Sequence, residues 1–325
     1  MPRADTGAQL VTLDEIAAAR DRIKPVARVT PLIDVSAAAG RPLWLKCESL
    51  QPGGAFKIRG AYNMVAQLTA EQRRRGVVTY SSGNHGQAMA LAAQRLGAPA
   101  VVVMPTTAPA IKIDGAKRFG AEVILEGATS ADRRARAEAE AERRGLTMVP
   151  PFDHEWIIAG QGTAGLEILE QLPEAGAVLV PIGGGGLVAG VAAAIKLSRP
   201  AVRVIGVEPE GAAAMKASVD AGHAVTLPKT QSIADGLMPV RPGDLTFAHV
   251  QAYVDAVVTV DDDAIVEAVR WLFLDGKVVA EPSGAATVAA IRSGALDRSL
   301  PVTGPVVAII SGGNISLDKL HALCF

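Results

Sequence analysis

One lysine in this sequence has neighbours that would change its chemistry. Lys57 lies between Phe56 and Ile58 in the stretch GGAFKIRGA, in which two glycines and an alanine come before Phe56. Apolar neighbours keep water away from an amine and lower its pKa, because the charged form is disfavoured. A neutral amine is a nucleophile toward carbonyl groups. The sequence therefore predicts a reactive amine at Lys57, although an ordinary surface lysine would also fit these residues.

Four consecutive glycines at residues 183–186 follow the apolar run VLVPI. Residues without Cβ allow successive N–H groups to point at one anion, and the helix that follows adds its positive end. This pattern predicts a phosphate site, although a simple tight turn would also fit. Gly184, Gly186 and Ala189 match a variant of the dinucleotide fingerprint, and Glu208 follows at about the expected spacing of twenty residues. An NAD site therefore stays open as an alternative.

A second polar loop, SSGNHGQ, occupies residues 81–87 after the apolar run VVTY. Hydroxyl, amide and backbone N–H groups at a strand end are suited to binding a carboxylate. His85 is an ordinary structural histidine in the alternative interpretation. A carboxylate loop, a phosphate loop and a nucleophilic lysine together favour pyridoxal phosphate, because NAD would not need the lysine.

Short apolar runs and longer amphipathic runs alternate along the chain and must position these residues. The strands predicted from the apolar runs are 43–46, 77–80, 100–104, 122–125, 177–181, 203–207, 254–260 and 306–310. The clearest predicted helices are 86–96, 131–144, 160–171, 264–275 and 285–292. This alternation predicts parallel sheets with helices on both faces. In such folds ligands bind beyond the carboxyl ends of the strands, where a third loop, SGGN at residues 311–314, is also expected.

The composition excludes several classes of protein. The 32 basic and 33 acidic residues nearly cancel, so nothing indicates a nucleic acid or an anionic membrane as partner. Cys47 and Cys324 fit no metal or redox spacing and indicate a reducing compartment. The uncharged run at residues 178–195 is interrupted by Pro181 and the four glycines, which argues against a membrane span. With no signal-peptide pattern at the start, we expect a cytoplasmic protein.

Three consecutive acidic residues, Asp261, Asp262 and Asp263, could suggest a metal cluster. They precede the helical pattern AIVEAVRWLF. Acidic side chains at that place accept backbone N–H groups and oppose the helix dipole. We interpret them as a helix cap.

Five motifs in one order, GAFKIRGA, SSGNHGQA, GGGGL, EPSG and SGGN, resemble those of fold-type-II pyridoxal-phosphate enzymes. The group most similar to this chain is that of the threonine/serine dehydratases and serine racemases, and the similarity runs from about residue 12 to about residue 320. The resemblance implies two open, twisted α/β domains with parallel sheets, as in the tryptophan synthase β-like fold, and the cofactor in the cleft between them. A large domain would comprise residues 1–47 and 151–325, and a small inserted domain residues 48–150. It also implies a homodimer.

The resemblance implies roles for particular residues. Lys57 would hold pyridoxal phosphate and move the α-proton, while Ser82 would act from the opposite face in a racemase. The implied cofactor-binding residues are Lys57, Phe56, Asn84, Gly183, Gly184, Gly185, Gly186, Leu187, Gly236, Glu281 and Ser311. The implied substrate-binding residues are Ser81, Ser82, Asn84, His85 and Arg133.

The activity implied is α,β-elimination, in which a small β-hydroxy amino acid such as threonine or serine becomes a 2-oxo acid and ammonia. Racemisation of serine or another amino acid, alone or alongside elimination, is the nearest alternative. Dehydration of phenylserine or 3-hydroxyaspartate and β-replacement are further alternatives. The motifs recognise only the amine and carboxylate, so they leave the side chain of the substrate open.

Two departures from the family pattern bear on the site. Ala55 precedes the lysine where these enzymes usually have serine, which removes one hydroxyl from the edge of the site. Some members bind a divalent cation through a glutamate, a backbone carbonyl and an aspartate. Glu208 and Ala212 align with the first two, but the aspartate position is Ala214, which has no side-chain oxygen. A hard cation needs several oxygen ligands, so we expect no metal.

Overall fold

The computed structural model describes residues 9–81, 83–108, 110–127 and 130–324, in which helices and strands alternate. The strands are β1 Leu32–Asp34, β2 Leu43–Lys46, β3 Val77–Tyr80, β4 Ala100–Met104, β5 Glu122–Leu125, β6 Thr147–Met148, β7 Ala177–Pro181, β8 Arg203–Pro209, β9 Ala256–Val260 and β10 Val306–Ile309. The helices are α1 Leu13–Ile23, α2 Ser36–Ala39, α3 Ile58–Gln67, α4 Ala70–Arg75, α5 Asn84–Arg95, α6 Ala110–Arg118, α7 Ser130–Arg144, α8 Glu155–Gln171, α9 Gly186–Ser198, α10 Ala214–Ala221, α11 Asp244–Tyr253, α12 Asp262–Leu274, α13 Pro282–Arg292, α14 Ala295–Ser299 and α15 Leu317–Cys324. Among these helices, none combines the length and apolar character that a membrane crossing requires.

The larger sheet has six strands in the order β1-β2-β10-β7-β8-β9. All neighbouring pairs are parallel except β1 with β2 at one edge. The central strand β7 is buried along its whole length, because helices cover both faces of the sheet. β7 and β10 lead into the glycine loop and the SGGN loop, so these two loops lie at the same edge of the sheet.

The smaller sheet has four strands in the order β5-β4-β3-β6, and all its neighbouring pairs are parallel. β4, with the sequence AVVVM, is buried at every position, as its continuous apolar run predicts. β3 leads directly into the SSGNHGQ loop. The described part of the chain is therefore an α/β protein with two largely parallel sheets, as predicted.

Each predicted strand is present, with differences at the ends. β8 continues two residues beyond the predicted end at residue 207. β9 begins at Ala256 and not at residue 254, because the N–H of Val254 still donates to the carbonyl of Val250 at the end of α11. The short strands β1 and β6 were not predicted, since two or three residues carry too little periodicity to be recognised.

The two sheets come from different parts of the chain. The strands of the smaller sheet lie within residues 77–148, whereas those of the larger sheet lie within residues 32–46 and 177–309. The exact domain boundaries after residues 47 and 150 stay a prediction. Of the three consecutive aspartates, Asp261 caps α12 by accepting the N–H of Ala264 at 2.7 Å, and the other two lie in the first turn of that helix. Asp262 also accepts the hydroxyl of Ser232 at 2.6 Å.

A buried cluster of charges joins the start of α3 to the rest of the fold. Arg59 donates to Glu48 and Glu167, with an Nε–Oε2 distance of 2.7 Å and an Nη1–Oε1 distance of 2.7 Å. Lys46, at the end of β2, donates to Glu167 on α8 at 2.6 Å. Two cations and two carboxylates therefore balance inside the protein. Because Arg59 lies two residues after Lys57, the cluster fixes the helix start that carries the predicted nucleophile.

Candidate active site

Lys57 lies immediately before α3, on a stretch that is held against the SGGN loop. Ala55 and Gly312 form an antiparallel bridge, and the N–H of Phe56 donates to the carbonyl of Ser311 at 3.0 Å. Gly53 and Gly54 both have positive φ, which lets the chain turn into this bridge. The turn made by these two glycines thus brings Lys57 beside the end of β10.

The amine of Lys57 is partly withdrawn from water. Its Nζ donates to the carbonyl oxygen of Pro151 at 2.7 Å and lies 5.1 Å from the centre of the Phe56 ring. Burial lowers the pKa of Lys57 to about 8, because the charged form loses its water. About a tenth of the amine is therefore neutral at pH 7, far more than for an ordinary lysine. This is the state that a nucleophile and base requires.

The four glycines form the turn between β7 and α9. Gly185 has φ +98° and caps α9, whose first N–H groups have no partner within the helix. Gly184 accepts the hydroxyl of Thr246 at 2.7 Å. A Cβ on Gly184 would lie 2.3 Å from the ring of Phe152, and one on Gly185 would lie 2.8 Å from Thr246. Because the loop is so closely packed, its N–H groups are fixed in advance toward one anion.

The SSGNHGQ loop ends at the amino end of α5, where Asn84 is the first helical residue. The hydroxyl of Ser81 accepts the N–H of Gly83 at 3.1 Å, which shapes the turn. The free N–H groups of the first turn of α5 can bind a carboxylate. Ser82 lies outside the described residues, so its implied role stays a prediction.

His85 is buried, and its Nε2 lies 3.1 Å from the carbonyl oxygen of Val149. Burial, reinforced by the nearby amine of Lys57, lowers the pKa of His85 to about 3. The neutral ring must donate from Nε2 to the carbonyl, which leaves Nδ1 only as an acceptor. The side chain therefore holds the segment that enters α8. For a substrate carboxylate only the backbone N–H of His85 is suitable, and that role stays a prediction.

The side chain of Asn84 is oriented by hydrogen bonds to Glu281 and Asn314. Its Nδ2 donates to Glu281 at 2.5 Å, and its Oδ1 accepts from Asn314 at 2.9 Å. One N–H of the amide remains for a ligand. Glu281 is buried at the start of α13, and burial raises the pKa of its carboxyl to about 7. Asn84 and Glu281, which were both predicted to bind the cofactor, are therefore in direct contact.

One side of the site is closed by the segment that leads from β6 to α8. Pro151 accepts the Lys57 amine, and the next residue, Phe152, packs under Gly184 and Gly186 of the glycine loop. Lys57, the predicted nucleophile, is therefore connected to the predicted phosphate site through Pro151 and Phe152.

The other side is closed through Gly236. Its carbonyl would lie 3.0 Å from a Cβ on Gly183, and its N–H donates to the hydroxyl of Ser283 at 2.8 Å. The carbonyl of Ser283 in turn accepts the hydroxyl of Ser311 at 3.5 Å, and Ser311 accepts the N–H of Phe56. The contacts return to the lysine stretch, so the structure brings these predicted residues together in one connected set of contacts.

The described residues include groups that suit each part of pyridoxal phosphate. Lys57 is an amine of lowered pKa that can bind its aldehyde, and the closely packed glycine loop can hold its phosphate. Ser311 offers a buried, uncharged hydroxyl for a ring nitrogen, and Asn84 offers a free N–H for a ring oxygen. The described residues therefore supply one suitable group for each part of the cofactor.

Three further predicted positions have clear surroundings. Arg133 lies on α7, is buried, and donates to the hydroxyl of Ser130 at 3.3 Å; its substrate role stays a prediction. Glu208 accepts the N–H groups of Met215 and Lys216 at 2.8 and 2.7 Å. Both of its oxygens are thus used at the start of α10. Ala55 is buried within its backbone bridge.

Several residues of the site were not predicted from the sequence. Pro151 and Phe152 act through a carbonyl and a packing contact, for which no residue pattern exists. Thr246, on α11, supports the glycine loop from a distant part of the chain. Asn314 could have been found, because it is the polar end of the SGGN motif.

Comparisons with known proteins agree with this geometry. The family model described as pyridoxal-phosphate dependent enzyme matches residues 23–312. The L-threonine ammonia-lyase of Thermotoga maritima is 45% identical over 318 residues, which cover 97% of this chain and 78% of that protein. The biosynthetic L-threonine dehydratase of Escherichia coli is 44% identical over 93% of this chain, and this match spans 59% of that protein. The structure of maize serine racemase has a TM-score of 0.93, with 42% identity over 97% of each chain.

Proposed function

The chain belongs to the family of pyridoxal-phosphate-dependent enzymes, and we propose that it is an ammonia-lyase acting on a small β-hydroxy amino acid. The substrate, of the threonine or serine type, loses its β-hydroxyl and its amine and becomes a 2-oxo acid and ammonia. The observation that carries this proposal is a lysine amine with a pKa of about 8 between a carboxylate loop and a phosphate loop. The similarity to a threonine ammonia-lyase over 97% of the chain supports it.

Lys57, Asn84, Ser311 and the glycine loop would hold the cofactor. When bound, pyridoxal phosphate supplies an electron-accepting ring that makes the α-proton of an amino acid acidic. Nζ of Lys57, whose neutral form is made accessible by its lowered pKa, accepts that α-proton. The β-hydroxyl then leaves as water, with the proton that Lys57 has taken up. The released enamine acid adds a water molecule and loses ammonia, which gives the 2-oxo acid. The N–H groups at the start of α5 bind the carboxylate and orient the Cα–H bond.

Ser311 favours elimination over slower reactions of the same substrate. Its uncharged hydroxyl does not stabilise a proton on a ring nitrogen as a carboxylate would. A ring without that proton withdraws electrons less strongly, so negative charge at Cα persists for a shorter time. Prompt loss of the β-hydroxyl is then preferred to transamination.

Racemisation is a second candidate, because maize serine racemase has the same fold with 42% identity. A racemase needs a second acid/base group opposite Lys57, and Ser82 is the residue implied for it. We expect Ser82→Ala to remove racemisation while part of the elimination activity remains. Unchanged racemisation in that variant would contradict the role of Ser82.

The proposal is tested by release of 2-oxo acid from a panel of β-hydroxy amino acids. The purified protein is expected to show the visible absorption of a lysine-bound cofactor. Borohydride reduction followed by peptide mass mapping should place the cofactor on Lys57. In Lys57→Ala that label disappears and kcat/KM falls about a thousandfold, the order that loss of a general base produces. Lys24→Ala, an exposed lysine paired with Asp21, is the control and should change neither. No 2-oxo acid from any substrate would refute the proposal.

We also propose that the protein acts as a homodimer, an expectation taken from the family resemblance. Sedimentation velocity of the holoenzyme checks it directly. A monomer at micromolar concentration would contradict it.

A further inference from the structure

A partly buried ion pair beside the site is not used by the mechanism above. Lys112, on α6, is paired with Asp235, which begins the short 3-10 turn Asp235–Leu237. α6 packs beside the smaller sheet, whereas the turn belongs to the chain that builds the larger one. The pair therefore joins the segment that carries the smaller sheet to the one that builds the larger sheet.

Lys112 crosses the loop that is expected to bind the substrate carboxylate. A Cβ on Gly83 would lie 3.0 Å from Nζ of Lys112 and 3.1 Å from its Cδ. A side chain at position 83 would therefore be in tight contact with this lysine. The ammonium group is thus within a few ångströms of the SSGNHGQ loop.

Asp235 lies on the opposite side, next to the glycine loop. The following residue, Gly236, contacts both Gly183 and Ser283. Glu281 is close enough to both members of the pair that Lys112 lowers and Asp235 raises its pKa. The ion pair, the carboxylate loop and the cofactor-binding residues therefore occupy one electrostatic environment.

The two members of the pair are unequally exposed. The side chain of Lys112 is 8% exposed, whereas that of Asp235 is 43% exposed. The lysine is covered and already neutralised, so the charge that remains available to a ligand is the carboxylate of Asp235. A second carboxylate on a substrate would meet a like charge here, which disfavours its binding.

We propose that the Lys112–Asp235 pair selects substrates by charge: it admits β-hydroxy amino acids with uncharged side chains and excludes those with a second carboxylate, such as 3-hydroxyaspartate. This inference rests on the proposed ammonia-lyase activity. Asp235 repels the second carboxylate and also withholds Lys112, the cation that could otherwise bind it. The pair is thus a specificity device that touches no reacting atom.

The test compares kcat/KM for L-threonine and L-serine with that for 3-hydroxyaspartate in the holoenzyme. The wild type should strongly prefer the uncharged substrates. In Asp235→Asn the ratio should shift toward 3-hydroxyaspartate about tenfold or more, and added salt should reduce the shift, because screening weakens charge interactions. Lys112→Met, which leaves Asp235 unpaired, should shift the ratio the other way.

The double variant Lys112→Met/Asp235→Asn separates the two members of the pair. It should keep only the part of the gain that comes from the lost repulsion, because the released cation is absent. A gain as large as that of Asp235→Asn would overturn the role of Lys112 as the released cation.

Asp297→Asn is a matched control. It breaks an ion pair with Arg41 at 2.9 Å near the amino ends of β2 and β10, at the opposite edge of the larger sheet. The substrate ratio should not change. Thermal unfolding and cofactor absorption, measured on all variants, exclude misfolding as the cause of a shift.

The failure of this inference can be distinguished from failure of the proposed function. Turnover of threonine with an unchanged substrate ratio in Asp235→Asn overturns the inference alone. A wild type that prefers 3-hydroxyaspartate also overturns it while supporting an ammonia-lyase. Absence of turnover with every substrate refutes the underlying function.

Discussion

Glu281 is a buried carboxyl whose ionisation is coupled to folding. Burial raises its pKa to about 7 from an ordinary value of 4.5. Between these two pH values the folded protein binds a proton that the unfolded chain does not bind. The contribution of this carboxyl to stability therefore falls as pH rises through this window, by about 3 kcal/mol in total.

Glu281→Gln removes this titration while keeping an acceptor for Asn84. We expect the variant to gain about 3 kcal/mol relative to the wild type between pH 4.5 and pH 8. Urea unfolding of the cofactor-free protein at several pH values measures the difference. Glu267→Gln, an exposed carboxyl on α12, should show no such trend. A flat difference for Glu281→Gln would show that the carboxyl ionises normally.

At the residue scale, side chains with distinct chemistry could be predicted and backbone partners could not. Lys57, Asn84 and Ser311 were recognisable because amines, amides and hydroxyls near glycine loops have few other uses. Pro151 could not be, because its contribution is a carbonyl that every residue has. His85 was recognisable as part of the loop, but only the structure shows that its side chain donates to Val149.

The glycine loop at the start of α9 is an element whose shape depends on one left-handed residue. Gly185→Ala would place a Cβ 2.8 Å from Thr246 and from Met215, at a φ that alanine disfavours by about 1–2 kcal/mol. We expect an equal or larger loss of stability and at least about tenfold weaker binding of pyridoxal phosphate, the loss that 1.4 kcal/mol produces.

Gly222→Ala separates strain from function. Gly222 also has positive φ, at the end of α10, but a Cβ there would contact nothing within 4 Å. It should lose about 1–2 kcal/mol of stability without changing cofactor affinity. Equal effects of both variants on cofactor binding, measured by fluorescence titration, would show that the glycine loop is not the phosphate site.

The charge cluster at the start of α3 holds that helix against β2 and α8. Arg59→Met leaves Glu48 and Glu167 buried without their main partner, and we expect a loss of about 3–5 kcal/mol. Arg20→Met removes an exposed pair with Glu170 and should cost less than about 1 kcal/mol. Denaturant unfolding compares the two. Similar losses would mean that the buried cluster contributes no more than a surface pair.

At the element scale, the strands were predicted well because buried parallel strands are continuous apolar runs. Their ends depend on contacts that the sequence does not display, as at Val254, which still belongs to the hydrogen bonds of α11. β1 and β6 are strands only because a neighbouring strand provides backbone hydrogen-bond partners for them. Local sequence cannot reveal such elements.

On the scale of the whole molecule, the chain passes between the two sheets beside the site. The first passage, between β2 and α3, carries Lys57. The second, between β6 and α8, carries Pro151 and Phe152. The hydrogen bond from the amine of Lys57 to the carbonyl of Pro151 therefore links these two connecting segments. Any relative movement of the sheets must change the surroundings of the nucleophile.

The two-sheet α/β architecture followed from strand–helix alternation and the family resemblance, but the ion pair that joins the two segments did not. Lys112 and Asp235 are separated by more than a hundred residues, and neither lies in a recognisable motif. Pairing over such a distance depends on how the sheets are placed relative to each other. It is a property of the assembled molecule alone.

β10 lies between β2 and β7 in the larger sheet but follows both of them in the chain. A ribosome therefore releases β2 and β7 long before it makes the strand that joins them, whereas β3 to β6 emerge as a continuous block. We expect the smaller sheet to form first during synthesis and the site to appear only after β10 and Ser311 have left the exit tunnel. On stalled nascent chains of increasing length, protease resistance should precede cofactor binding. The catalytic centre is thus absent throughout most of translation, when a reactive amine would serve no purpose.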